Sequence, residues 1–381
     1  MLNIVFFTHY NSMNGANQSL LTLLVFLKDK INIEKVIIYG KDNGKEGLHE
    51  RLKEIGIKSE KIDLKYYLYY SNKYYGFFSI PLKVIHNIPR WRFLYKDLKN
   101  KNIDLIYSNS SLENTGILLS KILKIKHFWH IREFGFADYN YRHIGGDYLK
   151  RIILNKSNQL IAISKSIEEH IKIPDKTKLI FNGIFSLNEL SQLRPKKKVK
   201  GLFRLGMVGV IAPVKNQKEC IQSISILSKE HDNIVLNIYG NVVDVNYHQE
   251  LEKMIVENSI EDKVNFFGFV TDKNRIYENI DVLLMCSHNE AFGRVTIEAM
   301  AYGIPVIGYN NAGTAELITN GVDGFLYDHN KNRLNDLILD LLSDENRYNQ
   351  ISENAKLKAN KYSVEIYGNK ILKLMNTINI L

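Results

Sequence analysis

Two carboxylates, Glu290 and Glu298, flank Gly293 within the stretch Cys286-Ser287-His288-Asn289-Glu290-Ala291-Phe292-Gly293-Arg294-Val295-Thr296-Ile297-Glu298. An ionised carboxylate only accepts hydrogen bonds, whereas the backbone amides at a helix start only donate them. Together they suit a ligand that offers hydroxyl groups and an anion. The apolar run over residues 281–286 predicts a buried parallel strand, and residues 304–307 predict a second. Between them a helix is expected over 295–302, with Gly303 as its C′ residue and Pro305 just beyond. Glu290 then sits in the loop at a strand's carboxyl end and Glu298 on the helix, at the edge where open α/β sheets bind ligands.

The chain opens on a second candidate anion site. Residues 2–7 read as a strand, 8–17 as a loop containing Gly15 and Ala16, and 18–28 as a helix whose first amides face that loop. The glycines fall short of a dinucleotide fingerprint, and no acidic residue ends the next strand, 35–39, to hold a ribose. Runs at 103–107, 127–130, 159–163 and 179–181 complete a parallel sheet. A linker is read at 187–200, where Arg194-Pro195-Lys196-Lys197-Lys198 breaks the periodicity with charge. Beyond it, strands at 202–208, 234–239 and 264–267 are each followed by a glycine, Gly209, Gly240 and Gly268, which permits positive φ or close backbone approach. A loop over 210–217 leads into a helix over 218–227, and helical periodicity fills 330–359 and 362–374.

A length of 381 residues exceeds one doubly wound layer. Two domains are expected, at 1–190 and 201–360, with a basic linker at 191–200 and a C-terminal helix at 361–381 free to cross back to the first domain. Hydrophobic residues at 45% and charged residues at 24% fit an ordinary globular protein, so fibrous and disordered classes are set aside. Cys220 and Cys286 lie far apart and lack metal-ligand spacing, which argues against a disulfide framework or a zinc site and fits a reducing cytoplasm. The N-terminus leads directly into Ile4-Val5-Phe6-Phe7 without the features of a signal peptide, and no run reaches the ~18 apolar residues of a spanning helix.

The net charge of +10 is unevenly placed: residues 1–200 hold 34 Lys and Arg against 18 Asp and Glu, and residues 201–381 hold 17 against 23. The basic half is richest at Lys65-Tyr66-Tyr67-Leu68-Tyr69-Tyr70 and onward through Tyr74, Tyr75, Phe77 and Phe78 to Trp91-Arg92-Phe93-Leu94-Tyr95-Lys96. Cations interleaved with aromatic rings suit an anionic membrane surface or an amphiphilic acceptor. An amphipathic helical pair packed on the sheet fits the same pattern. No nucleic-acid module is recognisable, so nucleic acid is not an expected partner.

With these pieces in order, the chain resembles the GT-B retaining glycosyltransferases of glycosyltransferase family 4. The likeness runs nearly end to end and is most specific in Glu290-Ala291-Phe292-Gly293 with Glu298-Ala299-Met300-Ala301-x-Gly303-x-Pro305-Val306-Ile307. Support comes from Asn182-Gly183-Ile184, from Gly268-Phe269-Val270 followed by Tyr277-Glu278-Asn279-Ile280-Asp281-Val282, and from Gly313-Thr314-Ala315-Glu316-Leu317-Ile318 with Gly321-Val322-Asp323-Gly324. The resemblance implies an α/β protein with two Rossmann-like, doubly wound parallel-sheet domains facing a central cleft. It also implies a nucleoside diphosphate sugar held mainly by the second domain and an acceptor held mainly by the first.

On that resemblance Glu298 takes the ribose hydroxyls and Glu290 the sugar hydroxyls. The amides near Phe292, Gly293 and Arg294 take the distal phosphate, helped by the helix dipole. Lys215 matches the lysine that stabilises charge on the diphosphate leaving group. Many relatives place an arginine directly after the glycine matched by Gly209; here Val210 stands instead. Arg294 either supplies the missing cation or faces solvent. Gly15, Ala16, Gly240, Gly268, Phe269 and Val270 line the donor side. His130, in His127-Phe128-Trp129-His130, matches a histidine near the reacting sugar, where a neutral imidazole can hydrogen-bond it. Asn109, Arg132 and Glu133 are acceptor-side candidates. No metal and no cofactor are expected beyond the donor itself, and the chain has no Asp-x-Asp motif. The expected function is transfer of a sugar to a glycan or lipid-linked acceptor by a cytoplasmic enzyme peripheral to the membrane, in cell-surface polysaccharide or glycolipid synthesis. A sugar-nucleotide epimerase, a glycosyl phosphorylase and a non-catalytic nucleotide- or lipid-binding subunit fit the same architecture.

Overall fold

The computed structural model describes residues 1–40, 46–66, 68–70, 79–135, 141–143, 146–195, 201–328 and 331–377. Tyr67 and residues 71–78 of the aromatic segment, residues 196–200 of the expected linker, and Asn330 lie outside the described residues. The chain divides into two compact units, Met1–Ile184 with Val364–Leu381, and Phe185–Ser363.

The first unit carries strands β1 (Asn3–Thr8), β2 (Asn32–Tyr39), β3 (Ser59–Ile62), β4 (Leu68–Tyr70), β5 (Leu105–Asn109), β6 (Lys126–Ile131), β7 (Tyr141–His143), β8 (Gln159–Ala162) and β9 (Thr177–Leu179). Its helices are α1 (Gly15–Leu27), α2 (Leu48–Glu54), α3 (Ile80–Leu98), α4 (Thr115–Leu123), α5 (Gly146–Leu154) and α6 (Lys165–Ile171). Seven strands form a parallel sheet in the order β3-β2-β1-β5-β6-β8-β9, while β4 and β7 pair antiparallel. Side chains alternate across a strand, so Ile4 and Phe6 of β1 pack with Leu20 and Leu24 of α1, and Val5 and Phe7 pack with Leu94 and Leu98 of α3. Both faces are covered, which is why β1 reads as an unbroken apolar run. The helix Val364–Met375 belongs to this unit, where Tyr367, Ile371 and Met375 complete the layer over α1. A Cβ at Gly368 would fall 2.2 Å from the Phe26 ring, so only glycine allows that approach.

The second unit carries α7 (Leu187–Gln192), β10 (Phe203–Val208), α8 (Gln217–Leu227), β11 (Ile234–Tyr239), α9 (Val245–Glu257), β12 (Val264–Phe266) and α10 (Lys273–Tyr277). It continues with β13 (Val282–Met285), α11 (Arg294–Ala301), β14 (Val306–Tyr309), α12 (Ala312–Leu317), β15 (Phe325–Tyr327), α13 (Lys331–Ser343) and α14 (Glu345–Ala359). Its six strands are parallel in the order β12-β11-β10-β13-β14-β15. Both units are Rossmann-like and doubly wound, as the sequence predicts. Strand order reverses between β1 and β5 in the first sheet and between β10 and β13 in the second. The loops at the carboxyl ends of those strand pairs are where such sheets hold ligands.

Local capping moves several expected boundaries. The Asn14 side chain accepts from the Asn17 amide at 3.0 Å, so α1 starts at Gly15 and takes Gly15 and Ala16 into its first turn. Ser186 and Glu189 form a reciprocal capping box, and the start of the expected linker is therefore helix α7. Asp344 caps the amide of Arg347 and splits the helical stretch before Ala359 into α13 and α14.

A chain of buried polar groups lies inside the first unit. Tyr39 donates to Glu113 at 2.9 Å, Ser108 bonds Glu113, and His127 bridges Ser108 at 2.8 Å and Ser157 at 2.7 Å. Burial pushes the Glu113 carboxyl up, against hydrogen bonds from Ser108, the Gly116 amide and Tyr39. Burial, with Lys121 as a lesser cause, pulls the His127 imidazole from its ordinary 6.5 down to about 3. Between those two values the unfolded chain binds a proton that the folded chain refuses, so stability is lost as pH falls from 6.5 toward 3. His127→Gln removes that proton: in urea titrations at pH 6, 5 and 4, its stability should fall less steeply than the wild type's, the difference approaching about 1.4 kcal/mol per pH unit below pH 6. Equal slopes in the two proteins would contradict the assignment.

Candidate functional site

The second sheet's switch point gathers most of the residues singled out from sequence. Gly209 ends β10 at φ 154°, the loop tightens into a 3-10 turn over Pro213–Lys215, and Asn216 is left-handed before α8 begins. Lys215 Nζ lies 2.6 Å from Glu290 Oε2 in the loop after β13, so two proposed catalytic groups form an ion pair. α12 fixes that loop through the backbone: the Gly313 amide donates to the Glu290 carbonyl at 2.8 Å. A Cβ at Gly313 would sit 2.7 Å from that oxygen and 2.8 Å from Phe292 Cα, so the helix can come this close only with glycine there. Gly293, at φ 89°, begins α11 without a side-chain cap, which leaves the positive end of the helix dipole beside Glu290. A small cavity here is lined by Gly209, Lys215, Gln217, Cys286 and Ser287. Gln217 is buried, gives its side-chain amide to the Val210 carbonyl at 2.9 Å, and keeps Oε1 without a hydrogen-bond partner among the described residues.

Glu298 is 6% exposed on α11. Its Oε1 faces Lys273 Nζ at 2.9 Å and Arg294 Nη2 at 3.5 Å, and its Oε2 accepts from the Tyr277 hydroxyl at 2.9 Å. Burial pushes this carboxyl up, but Lys273 and Arg294, with the hydrogen bonds from Lys273 and Tyr277, outweigh it and hold the group below its ordinary value. Arg294 therefore serves Glu298. Its side chain is mostly buried and does not face solvent, while the Val210 side chain is 40% exposed.

The other second-unit candidates lie on the neighbouring strand ends. The Gly240 amide donates to the Gly268 carbonyl at 2.8 Å, and a Cβ at Gly240 would fall 1.9 Å from the Gly209 carbonyl oxygen, so the loops after β10, β11 and β12 touch. Gly268 is at φ 66°, and Phe269 beside it is exposed while Val270 is half-buried. Cys220 and Cys286, distant in sequence, bring their Sγ atoms within 3.2 Å in the core beneath Ser287 as buried free thiols.

The first-unit candidates form a different kind of assembly. His130 is wholly buried, with Nδ1 2.6 Å from the Tyr107 hydroxyl and 3.3 Å from Arg132 Nη2, and Nε2 has no hydrogen-bond partner among the described residues. Burial and then Arg132 hold its imidazole well below the ordinary value, hence neutral. Arg132 also donates to Asn109 Oδ1 and Asn182 Oδ1, both at 2.6 Å, and to the Tyr367 hydroxyl at 3.1 Å. Asn109 in turn donates to Thr8 Oγ1 and to the Ala16 carbonyl, both at 3.3 Å. Glu133 Oε1 gathers Ser110 and Ser111, whose loop holds Ser110 at φ 135°. Asn109, Arg132 and Glu133, read from sequence as facing an acceptor, are buried and bonded to one another's loops. Lys273, Tyr277 and Gly313 carry positions that sequence reasoning left without a role. Tyr277 and Gly313 lie inside the quoted motifs, while nothing in the pattern marks Lys273.

Residues 191–358 match the Glycosyl transferases group 1 family. The capsular polysaccharide biosynthesis glycosyltransferase CapM of Staphylococcus aureus is 27% identical over 245 residues, 60% of this chain and 64% of that protein. An uncharacterized glycosyltransferase of Haemophilus influenzae is 26% identical over 317 residues, 80% of this chain and 84% of that one. The chain thus spans just under two thirds of the length of CapM. Among solved structures, HepE of Anabaena in complex with UDP and glucose aligns with a TM-score of 0.79 at 21% identity, covering 99% of this chain and 100% of that one. The chain has the GT-B fold, and the likeness to the glycosyl transferases group 1 family lies in residues 191–358.

Proposed function

We propose that this chain is a retaining glycosyltransferase. It moves a sugar from a nucleoside diphosphate sugar to a glycan or lipid-linked acceptor in cell-surface polysaccharide or glycolipid synthesis. The carrying observation is the contact of Lys215 with Glu290 beside the start of α11, at the switch point between β10 and β13. Support comes from the UDP and glucose bound to HepE and from the likeness to CapM, a capsular polysaccharide biosynthesis glycosyltransferase. Without a ligand the lysine neutralises the carboxylate. When a donor enters, its diphosphate competes for Lys215 and the α11 amides, and Glu290 is left to accept from sugar hydroxyls. The acceptor oxygen then bonds the anomeric carbon on the face from which the carbon–oxygen bond to phosphate breaks. The acceptor proton passes to the departing phosphate oxygen, so no separate base is needed. Charge on the leaving group is met by Lys215 and the helix start, and the reaction runs without a metal ion.

Donor turnover by purified full-length chain is the direct test. Lys215→Ala should lower kcat by about a hundredfold or more, because its contact strengthens as the leaving group gains charge. Glu298→Ala should mainly raise donor KM, since ribose contacts hold ground and transition states alike. Wild-type turnover should survive EDTA. If both variants kept wild-type kinetics, the site assignment would be wrong.

The enzyme acts at the cytoplasmic face of a membrane, on which α3 docks. Its inner face packs Leu94 and Leu98 into the core, yet Leu82, Ile85, Ile88 and Phe93 stay exposed along the outer side with Arg92, Lys96 and Lys99. Apolar groups flanked by cations match the boundary of an anionic bilayer. No described helix is long and apolar enough to cross a membrane. The chain should therefore sediment with phosphatidylglycerol vesicles at low salt, and Leu82→Asp with Phe93→Asp should weaken that binding about tenfold or more. Retention of the chain in the supernatant would rule the docking out.

A further inference from the structure

A carboxylate that selects ribose must be charged and must point its oxygens in a fixed direction, and burial works against the first requirement. Lys273 answers both. It begins α10, and its Nζ lies 2.9 Å from Glu298 Oε1. The same nitrogen sits 4.4 Å from the centre of the Phe185 ring, so the cation is held between a carboxylate and an aromatic face. Phe185 packs edge-on against Tyr302 at 6.2 Å, and Tyr302 stacks on Tyr277 at 4.9 Å. Tyr277 closes the ring of contacts by donating to Glu298 Oε2. Tyr302 also donates to Asn274, the residue after Lys273, at 2.6 Å. Three aromatic rings and two helices therefore fix where Lys273 meets Glu298.

Glu298 has about four acceptor directions on its two oxygens. Lys273, Arg294 and Tyr277 engage both oxygens without filling that capacity, so hydroxyl donors can still bind an oxygen whose position is already set. Arg294 alone does not do this, because its approach is 3.5 Å against 2.9 Å for the lysine. We propose that Lys273 is the positioning residue of Glu298 and thereby sets the preference of this site for ribonucleoside over deoxyribonucleoside diphosphates. The proposal rests on the donor-binding reading of Glu298 given above. Lys273 is not a catalytic residue: it acts through a carboxylate distant from the bond that breaks.

The test is calorimetric binding of UDP, GDP and ADP and their 2′-deoxy counterparts to the full chain, followed by kinetics with the preferred donor. Lys273→Met keeps the length of the side chain and removes its charge. It should weaken ribonucleotide binding about tenfold or more and binding of the 2′-deoxy series, which keeps one of the two hydroxyls, by clearly less, so that the discrimination narrows. Donor KM should rise with kcat nearly unchanged, and Lys273→Arg should restore most of the discrimination. A purely structural lysine would weaken both nucleotide series alike, and that result overturns the proposal. So does a Lys273→Met protein that discriminates as the wild type does. A wild type that binds no nucleoside diphosphate overturns the donor reading itself, and the proposal with it.

Discussion

Glu298 has lost nearly all contact with water, yet its carboxylate stays charged because Lys273 and Arg294 approach one oxygen and Tyr277 donates to the other. Removing a carboxylate from water costs several kcal/mol when nothing replaces the lost solvation. The second unit meets that cost with cations drawn from two helices and a tyrosine from one of them. The same logic holds at the loop after β13, where Glu290 and Lys215 neutralise each other. On the proposed reading, the diphosphate of a ligand replaces Glu290 at Lys215, whereas its hydroxyls take the acceptor directions that Lys273, Arg294 and Tyr277 leave open on Glu298.

The first unit treats its buried polar groups in the opposite way. Arg132, Asn109, Asn182, Tyr367 and Tyr107 satisfy one another around His130, and Glu133 is occupied by the serines of the loop after β5. Few acceptors or donors are left over, His130 Nε2 and His9 Nδ1 being two among the described residues. Such a network makes the strand ends stiff. It also keeps His130 a neutral imidazole, first by burying it and then by setting Arg132 beside it. In the second unit the cations are paired with carboxylates that a ligand can reach; in the first, the arginine is used to hold the scaffold together.

The two sheets, the strand ends and the spacing of Glu290 and Glu298 were legible from sequence because their causes are local. Strands buried on both faces read as apolar runs, and Gly209, Gly240 and Gly268 mark strand ends at positive φ, which L side chains rarely adopt. Capping shifted boundaries by a few residues, as at Asn14 and Ser186, where a side chain claims an amide that periodicity alone assigns to a loop. What escaped was long-range. Lys273 meets Glu298 across 25 positions, and Cys220 meets Cys286 across 66, through folding that no short pattern records. Arg294 is a different case: its carboxylate lies four positions along the same helix, a local pairing that the sequence reading passed over in favour of phosphate or solvent. Asn109, Arg132 and Glu133 were identified as strand-end polar residues, and only packing reveals that they bond inward.

The central claim is that the loops at the switch point of the second sheet, and not the glycine-containing start of α1, receive the diphosphate. Amide hydrogen exchange with and without a saturating nucleoside diphosphate tests it most directly. Added protection should appear over residues 209–217 and 290–298, where the Lys215 loop and the start of α11 close on the anion. Protection confined to the turn around Gly15 and Ala16, with none at 290–298, would contradict the account.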